Sequence, residues 1–325
     1  MNNITILITT YNCAEYIGIA IGSILNQTFP NYELLIIDDG SNDSTEIIIK
    51  NFQDKRIKYI KIDHIGRSKA LNYGLREAKY DWVALMDADD IWHPQKIERQ
   101  LHNFSFTKEE ITATWSAYFK QKKILYTVDT PVDIKELRGK MALHSFICNP
   151  SVIYNKNFVL ENGGYDENLT RFEDYDFWLK VLNKISFTII PEYLVYMRIR
   201  AESSSNENKN ITRKIVYKIQ EKYFDEPKNN IYSLNHIEEL KLKGWREYFY
   251  GNKIKVRINW LNVNIIDWDY RMYFAFVLTF FPSNILNIIR EYRLRIRLKT
   301  FVYRLTNKYW LPEKILKEFL LSEKT

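Results

Sequence analysis

Cysteine is scarce in this chain, whose 325 residues include only Cys13 and Cys148. Two cysteines cannot build a disulfide framework, and neither stands in a Cys-x-x-Cys or Cys/His cluster of the kind that binds zinc. We expect both to be reduced packing residues of a cytoplasmic protein. The N-terminus also lacks the basic start and the uninterrupted apolar stretch of a signal peptide, so we do not expect export.

Three further absences narrow the range of functions. No Gly-x-Gly-x-x-Gly follows the first apolar run, which disfavours an NAD-dependent enzyme, and the chain contains no P-loop. The longest uncharged run, residues 272–289, is short and interrupted by proline, serine and asparagine. It therefore does not predict a transmembrane helix.

What the chain does contain is a regular alternation of short apolar runs and longer amphipathic ones over residues 4–104. This pattern predicts parallel strands with helices on both faces, an α/β fold. The predicted strands cover residues 4–8, 33–37, 58–62, 83–86, 112–119, 124–128, 149–154, 185–190 and 194–199. The predicted helices cover residues 16–25, 45–52, 68–78, 94–104, 156–162 and 174–183. From about residue 205 only helical runs follow, at 211–224, 236–250 and 272–289.

Charge is distributed unevenly along the chain. Residues 1–204 contain 24 Lys and Arg against 27 Asp and Glu, a net −3, whereas residues 205–325 contain 23 against 13, a net +10. A basic region can bind nucleic acid or anionic lipid, or it can be a solvated helical face. No nucleic-acid recognition module accompanies these charges, so we do not expect nucleic-acid binding.

Three carboxylates, those of Asp87, Asp89 and Asp90, follow the predicted strand 83–86 within four positions. Open α/β sheets bind their ligands at the carboxyl ends of parallel strands. Asp87 and Asp89 can converge on one hard divalent ion, Mg²⁺ or Mn²⁺, which usually completes its shell with substrate phosphates. The alternative interpretation is an acidic loop that caps the helix starting at Pro94.

A second pair of acids, Glu173 and Asp174, lies at the start of the amphipathic helix predicted for residues 174–183. Acids at this end of a helix stabilise the helix dipole. From these residues alone, that structural interpretation stands beside a functional one.

Five motifs in fixed order resemble those of family 2 glycosyltransferases over residues 4–200. They are Thr10-Tyr11-Asn12, the segment 23–28, the segment 37–41, the segment 87–90, and the segment 163–167 followed by Glu173-Asp174. The resemblance implies a GT-A fold, in which a Rossmann-like, mostly parallel sheet is flanked by helices. It also implies a catalytic domain over 1–205, with a nucleotide-sugar half at about 1–104 and an acceptor half at about 105–205. A helical, basic C-terminal region follows over 206–325.

The resemblance assigns the donor site to residues that follow the predicted strands. Thr9, Thr10 and Tyr11 would line the nucleoside pocket. Asp39 would hydrogen-bond the base, because a carboxylate can accept from the imide N–H of uracil. Asp87 would lie near the ribose and the metal, and Asp89 would be the direct metal ligand that bridges to the diphosphate.

The resemblance also assigns the catalytic base to Asp174, with Glu173 in support. A positioned carboxylate that takes the acceptor hydroxyl proton contributes on the order of 10²- to 10⁴-fold to the rate. A cation held between carboxylate and diphosphate neutralises the charge that develops on the leaving group. With one base and in-line attack, we expect the anomeric configuration to invert, without the second carboxylate that a retaining glycosidase needs.

The sequence departs from the family pattern at two places. Where relatives carry a histidine after the last strand, this chain has Arg200, whose guanidinium suits a phosphate. Relatives also often place an arginine just before the asparagine found here at Asn72. Here Lys69 or Arg67 would make that phosphate contact, or both are surface charges. Three isolated histidines are expected to be structural: His64, His93 and His144.

Together these residues predict an inverting, metal-dependent glycosyltransferase that uses a nucleotide sugar, expected to be a UDP-sugar. The acceptor would be a hydroxyl of a glycan or of a polyprenyl-diphosphate-linked sugar in bacterial surface polysaccharide synthesis. The alternative is a non-catalytic protein that keeps the fold and binds sugar nucleotides or a membrane surface.

The segment 272–309 combines the uncharged run 272–289 with a basic one. Residues 290–308 contain seven Lys and Arg and one acid, interleaved with aromatic and aliphatic residues. This composition predicts a helix that lies on an anionic membrane, at the inner face of the cytoplasmic membrane. The alternative is a helical cap on the catalytic domain or an oligomer contact.

Overall fold

The computed structural model describes residues 3–102, 104–141, 143–200, 209–224 and 236–281. Within these ranges the chain forms two compact units. The first contains residues 3–134 and 146–200, and the second contains residues 135–145 together with the described residues from 209 onward. The predicted domain boundary near residue 205 lies outside the described residues, so the division into 1–205 and 206–325 stays a prediction.

The described part of the first unit contains nine strands in one sheet. The strands are β1 (Ile4–Thr10), β2 (Tyr32–Asp38), β3 (Ile57–Lys61), β4 (Trp82–Asp87), β5 (Ile91–Trp92), β6 (Glu110–Lys120), β7 (Lys123–Val128), β8 (Ile153–Asn155) and β9 (Ser186–Arg198). Their order is β3-β2-β1-β4-β8-β6-β9-β5, and β7 pairs with β6. The β1–β2, β2–β3, β1–β4 and β6–β9 pairs are parallel, so the predicted mostly parallel α/β sheet is confirmed.

Helices connect and cover these strands. They are α1 (Ala14–Leu25), α2 (Thr45–Lys50), α3 (Arg67–Glu77), α4 (Lys96–His102), α6 (Lys156–Glu161) and α7 (Glu173–Val181). A further helix, α5 (Ile134–Met141), lies in the second unit from residue 135 onward. The core contains the fully buried apolar residues of β1, β2 and β4, which helices cover on both faces because a parallel sheet needs helical crossovers.

The second unit is helical in its described part. Its helices from residue 209 are α8 (Lys209–Phe224), α9 (His236–Phe249), α10 (Lys253–Leu261) and α11 (Tyr270–Leu278), with a 3₁₀ turn at Ile265–Asp267. A small aromatic core holds α9, α10 and α11 together around Trp260 and Tyr248. Among the described residues of the chain, no helix combines the length and apolar character needed to cross a membrane.

Several boundaries differ from the sequence-based prediction. The two strands predicted at 185–190 and 194–199 are one strand, β9, because the pairing with β6 shifts register opposite Pro191 and absorbs the proline in a bulge. Residues Asn149–Ser151 form a 3₁₀ turn, so β8 begins only at Ile153. Helix α4 begins at Lys96, because Pro94 lies in a turn whose carbonyl accepts from Thr28.

The helix predicted at 272–289 was placed too far along the chain. Helix α11 begins at Tyr270, where the side chain of Asp269 accepts from the N–H groups of Arg271 and Met272. It ends at Leu278, and Pro282 follows four residues later, where a helix is disfavoured. The rest of the predicted run, and the basic residues up to 309, lie outside the described residues.

Candidate active site

The carboxyl ends of three parallel strands lie side by side at one edge of the sheet. In the strand register Thr9 of β1 stands beside Asp87 of β4, and Thr10 stands beside Asp38 of β2. The residues that follow β1, β2 and β4 are therefore neighbours in space although they are far apart in sequence. This arrangement creates the crevice in which the predicted donor residues lie.

The two acids at the end of β2 have separate tasks. Asp38 is fully buried and organises the turn, since its carboxylate accepts from the Ser41 N–H at 2.8 Å and from the Tyr59 hydroxyl at 2.7 Å. Asp39 instead accepts from the N–H groups of Ile65 at 2.8 Å and Gly66 at 3.0 Å. Asp39 thus ties the turn after β2 to the loop after β3.

His64 belongs to the same corner of the site. Its Nδ1 lies 2.9 Å from Asp39 Oδ2, and its ring stacks on Tyr11 with the centroids 4.1 Å apart. Gly40 makes this approach feasible, because it adopts φ +78° and a Cβ atom there would lie 2.8 Å from the His64 backbone nitrogen. The expectation that His64 is only structural did not anticipate its place beside Tyr11 and Asp39.

The three acids at the end of β4 each contact a different group. Arg67 Nη2 donates to Asp87 Oδ1 at 2.7 Å, and Arg200 Nε lies 2.7 Å from Asp89 Oδ2. Asp90 is buried and accepts from the Arg198 N–H at 2.8 Å, which fastens the loop to the end of β9. Asp90 is thus part of the framework, while Asp87 and Asp89 each pair with an arginine.

The electrostatics around Asp89 favour an additional cation. Desolvation and the neighbouring Asp87 carboxylate raise the pKa of Asp89, although Arg200 and Arg67 act in the opposite direction. Burial and the neighbouring carboxylate thus disfavour the charged form of Asp89, which a bound cation would favour. The two carboxylates are also hard oxygen donors of the kind that bind Mg²⁺ or Mn²⁺. The residue types therefore fit a divalent cation.

The protein by itself offers this cation an incomplete shell. In the described ranges of the chain, no three side chains of His, Cys, Asp or Glu are arranged to hold a metal ion. Substrate phosphates and water usually supply the missing ligands of Mg²⁺ sites. The donor set thus fits an ion that arrives with a diphosphate.

Helix α3 joins the donor crevice to the acids of α7. Arg67 Nε donates to Glu173 Oε1 at 2.6 Å while its Nη2 holds Asp87, so one guanidinium bridges the two acidic groups. Ser68 Oγ donates to the Leu169 carbonyl at 2.8 Å, one turn before α7. The sequence-based interpretation of Arg67 left surface charge open, and this bridge was not foreseen.

Asn72 holds the segment that leads into α7. Its side chain accepts from the Tyr165 N–H at 2.9 Å and donates to the Tyr165 carbonyl at 2.8 Å. Gly164 has φ +60°, and a Cβ atom there would lie 2.5 Å from Asn72 Oδ1. The Gly-Gly motif is therefore explained by the close approach of this segment to α3.

Asp174 has the most altered acidity of the predicted catalytic residues. Desolvation and the adjacent Glu173 carboxylate raise its pKa to about 7, while Arg67 lowers it. Phe172, immediately before this pair, adopts the left-handed conformation with φ +60°, an uncommon backbone state for a bulky residue. A carboxylate with a pKa near neutrality can accept a proton at physiological pH and release it again.

One cavity of about 230 Å³ collects most of the predicted donor residues. Its lining includes Thr9, Thr10, Tyr11, Asp39, Asp89 and Arg200, together with His64 and Arg67. The Thr10 hydroxyl is buried and has no hydrogen-bond partner in the described part of the chain, so it is available to a ligand. Lys69 is exposed on α3 and is not part of this lining. Asp87 and Glu173 connect to the cavity through Arg67.

The sequence contained one indication that His64 and Arg67 belong to the site. Strand β3 ends at Lys61, so His64 and Arg67 follow a parallel strand at the same edge of the sheet as Asp39 and Asp87. Residues that follow the carboxyl end of a parallel strand are candidates for the ligand site, even when they belong to no cluster in sequence.

Comparison with known proteins places this geometry in context. The family model described as Glycosyl transferase family 2 matches residues 5–161. The chain is 33% identical over 219 residues to the Escherichia coli UDP-Glc:alpha-D-GlcNAc-diphosphoundecaprenol beta-1,3-glucosyltransferase WfaP, a match that covers 66% of this chain and 84% of WfaP. It is 30% identical over 213 residues to an uncharacterized glycosyltransferase of Rickettsia bellii, covering 63% of this chain but 31% of that protein. The chain thus spans about a third of the length of that relative.

Solved structures show the same fold at low sequence identity. Staphylococcus aureus TarS 1–349 in complex with UDP-GlcNAc has a TM-score of 0.59 and 15% identity, covering 85% of this chain and 79% of that one. The Pyrobaculum calidifontis mannosyltransferase PcManGT in complex with GDP-Man and Mn²⁺ has a TM-score of 0.58 and 14% identity, covering 93% and 85%. The predicted GT-A fold is confirmed by these similarities.

Proposed function

The chain belongs to glycosyl transferase family 2, and we propose that it is an inverting, metal-dependent enzyme that moves a sugar from a nucleotide sugar to an acceptor hydroxyl. One observation carries this proposal more than any other. The cavity that contains Asp39 and Asp89 is linked through the Arg67 guanidinium to Glu173, beside Asp174. Donor and acceptor chemistry can therefore take place in one site.

The donor we propose is a UDP-sugar. Asp39 presents a carboxylate at the strand end, which can accept from an imide N–H of uracil, while Thr9, Thr10 and Tyr11 surround the nucleoside. The unpartnered Thr10 hydroxyl supports a polar ligand at this place. WfaP is named for UDP-Glc and TarS was solved with UDP-GlcNAc, which is consistent with the same nucleotide here.

For the metal we propose Asp89 as the direct ligand and Asp87 as support, with Mn²⁺ or Mg²⁺ as the ion. When bound, such an ion would neutralise charge on the departing diphosphate. Arg200 adds a second positive charge within reach of the same phosphates. For Lys69, which is exposed on α3 outside the cavity lining, we propose a phosphate contact.

For the base we propose Asp174, supported by Glu173. The raised pKa of about 7 allows Asp174 to take the proton from the acceptor hydroxyl as that oxygen attacks the anomeric carbon. Glu173 contributes to this raised pKa and is itself held in place by Arg67. Since one base acts and no enzyme nucleophile is needed, the anomeric configuration inverts.

The acceptor class we propose is a glycan or a lipid-diphosphate-linked sugar of bacterial surface polysaccharide synthesis. This part of the proposal rests on relatives, since WfaP is named for a diphosphoundecaprenol-linked acceptor and WbnJ of Escherichia coli for O-antigen biosynthesis.

The test is UDP release from a panel of UDP-sugars with Mn²⁺ and lipid-diphosphate-linked acceptors. We expect acceptor-dependent release from the wild-type protein. We expect Asp174→Asn to lower turnover by roughly 10²- to 10⁴-fold while the affinity for UDP stays unchanged. The exposed Asp63→Asn, in the loop after β3, serves as the matched control and should keep full activity.

Two results would reject parts of this proposal. Full activity of the Asp174→Asn protein would remove the base assignment. UDP binding without turnover across the whole panel would favour a sugar-nucleotide binding protein that retains the fold.

A further inference from the structure

The second unit exposes an unusual number of large apolar side chains on α10. Ile254, Ile258 and Leu261 repeat at the spacing of one helix face, and each is more than half exposed. On the opposite side of α10, Val256 and Trp260 are fully buried in the aromatic core of this unit. Helix α10 is therefore apolar on both faces, and only one face has a partner in the described residues.

The same pattern continues through the following turn and α11. The exposed apolar residues there are Ile265, Ile266, Tyr270, Tyr273, Phe274, Val277, Phe280 and Phe281. Ile266 and Tyr270 are 84% and 80% exposed, the largest values in this set. The inner face of α11, with Met272, Ala275 and Leu278, packs into the core.

Hydrogen bonds join α10 to the end of α11 and join α11 to the turn between the two helices. Lys253 Nζ donates to the Phe281 carbonyl at 3.1 Å, and Arg257 Nε donates to Thr279 Oγ1 at 3.0 Å. At the other end, the Tyr273 hydroxyl donates to the Ile265 carbonyl at 2.7 Å. The two helices thus run antiparallel as a hairpin, and Ile265 and Ile266 lie in the turn that joins them. We call the exposed apolar residues of α10, this turn and α11 the hairpin surface.

The charges around the hairpin surface are mainly positive. Basic residues on these helices are Lys253, Lys255, Arg257 and Arg271, whereas the acids of residues 252–281 are Asp267 and Asp269. Asp269 caps α11 and pairs with Arg271 at 2.9 Å, so these two charges compensate each other, and Lys255 lies 3.9 Å from Glu247 of α9. The charges that remain on the two helices and their turn are those of Lys253, Arg257 and Asp267, and residues 205–325 as a whole carry a net +10. In the sequence that follows, residues 290–308 add seven basic residues and one acid.

We infer that the hairpin surface binds an anionic lipid bilayer, lying at the interface with Ile266, Tyr270 and Val277 among the acyl chains and headgroups. Exposed aliphatic and aromatic side chains on helices that also carry Lys253 and Arg257, in a region of net +10 charge, match the chemistry of such a surface. The positive charge attracts the anionic headgroups, and burial of the apolar side chains stabilises the bound state. A second protein copy would match the apolar area but would meet like positive charge. This inference is independent of the proposed function, because it concerns only the second unit.

The experiment measures flotation of the full chain with phosphatidylcholine vesicles that contain or lack phosphatidylglycerol. The test variants are Ile266→Asn and Val277→Asn, and the control is Ile47→Asn, which changes a 63% exposed isoleucine of the first unit. We expect the wild type and the control to float with anionic vesicles. Each test variant should lower the partition coefficient about tenfold. Added salt should weaken wild-type binding.

Thermal unfolding and molecular mass complete the design. All three variants change exposed residues, so we expect unchanged unfolding midpoints, and equal midpoints show that lost flotation is not misfolding. Flotation of both test variants at the wild-type level would overturn the inference. So would a wild type that fails to bind anionic vesicles but dimerises through this surface, with the dimer lost in the Val277→Asn protein.

Discussion

Arg67 is the side chain that connects the two groups of acids in the site. It donates to Asp87 and to Glu173 at 2.7 and 2.6 Å, and it lowers the pKa of Asp174 against the effects of desolvation and Glu173. Its own pKa is raised, with the Asp87 carboxylate as the main cause, so it stays charged. We therefore regard Arg67 as a residue that positions α7 and sets the acidity of the proposed base.

The Arg67→Gln variant should change the pH dependence of turnover. Asp174 acts as a base only when it is deprotonated, so activity should rise with pH through its pKa of about 7. Removal of the guanidinium charge removes a factor that lowers this pKa, and the rising limb should move to higher pH. The measurement is kcat against pH across neutrality for the wild type, Arg67→Gln and Arg67→Lys.

The lysine variant is the matched control, because it keeps the positive charge and loses the two-sided contact. We expect the kcat of Arg67→Lys to rise at a pH closer to that of the wild type than the kcat of Arg67→Gln does. If Arg67→Gln lowers kcat equally at every pH, Arg67 only holds α7 in place and does not set the acidity of Asp174.

Among the elements, α3 contributes most to the assembly of the site. Arg67, Ser68 and Asn72 all project from it toward the segment that leads into α7. On the side of the sheet, Gly74 lies so close to β1 that a Cβ atom would be 2.6 Å from a methyl carbon of Leu7. Helix α3 thus packs against the sheet on one side and holds the segment before α7 on the other, which fixes the proposed base relative to the sheet.

Asn72→Ala should destabilise the protein by about 1–3 kcal/mol, because it leaves the buried N–H and carbonyl of Tyr165 without their partner. Urea unfolding followed by circular dichroism measures this free energy. The exposed Asn51→Ala, at the end of α2, is the control and should change it by less than about 0.5 kcal/mol. Equal stability of the two variants would show that Asn72 does not hold this segment.

The sequence was informative where local pattern determines structure. The strands β1 to β4 and the acids after them were predictable, because apolar runs give buried strands and strand ends gather at one edge of the sheet. The bridge from Arg67 to Glu173 was not, since it joins residues 106 positions apart. Likewise β9 continues past Pro191 because its pairing with β6 accommodates a bulge, which propensity does not reveal.

At the scale of the whole molecule, the charge balance bears on the proposed metal. Residues 1–204 carry a net −3, and the nucleotide diphosphate proposed to bind there is itself an anion. Arg67 and Arg200 already pair with Asp87 and Asp89, so their charge is largely compensated. A divalent cation would relieve this excess of negative charge, and we therefore expect donor binding to depend on it.

This dependence can be measured as ligand-linked stability of the full chain. A ligand that binds only the folded state stabilises it by about 2.7 kcal/mol at one hundred times its Kd, which raises the Tm by several degrees. We expect UDP with Mn²⁺ to raise the Tm more than UDP alone. The Asp89→Asn variant, compared with its own ligand-free Tm, should lose the increment due to Mn²⁺ and keep part of the increment due to UDP.

The control is Asp267→Asn, in the second unit, which should behave as the wild type. An equal Mn²⁺ increment in the wild type and Asp89→Asn would exclude Asp89 as the ligand, because the ion would then bind elsewhere on the folded chain or through UDP alone.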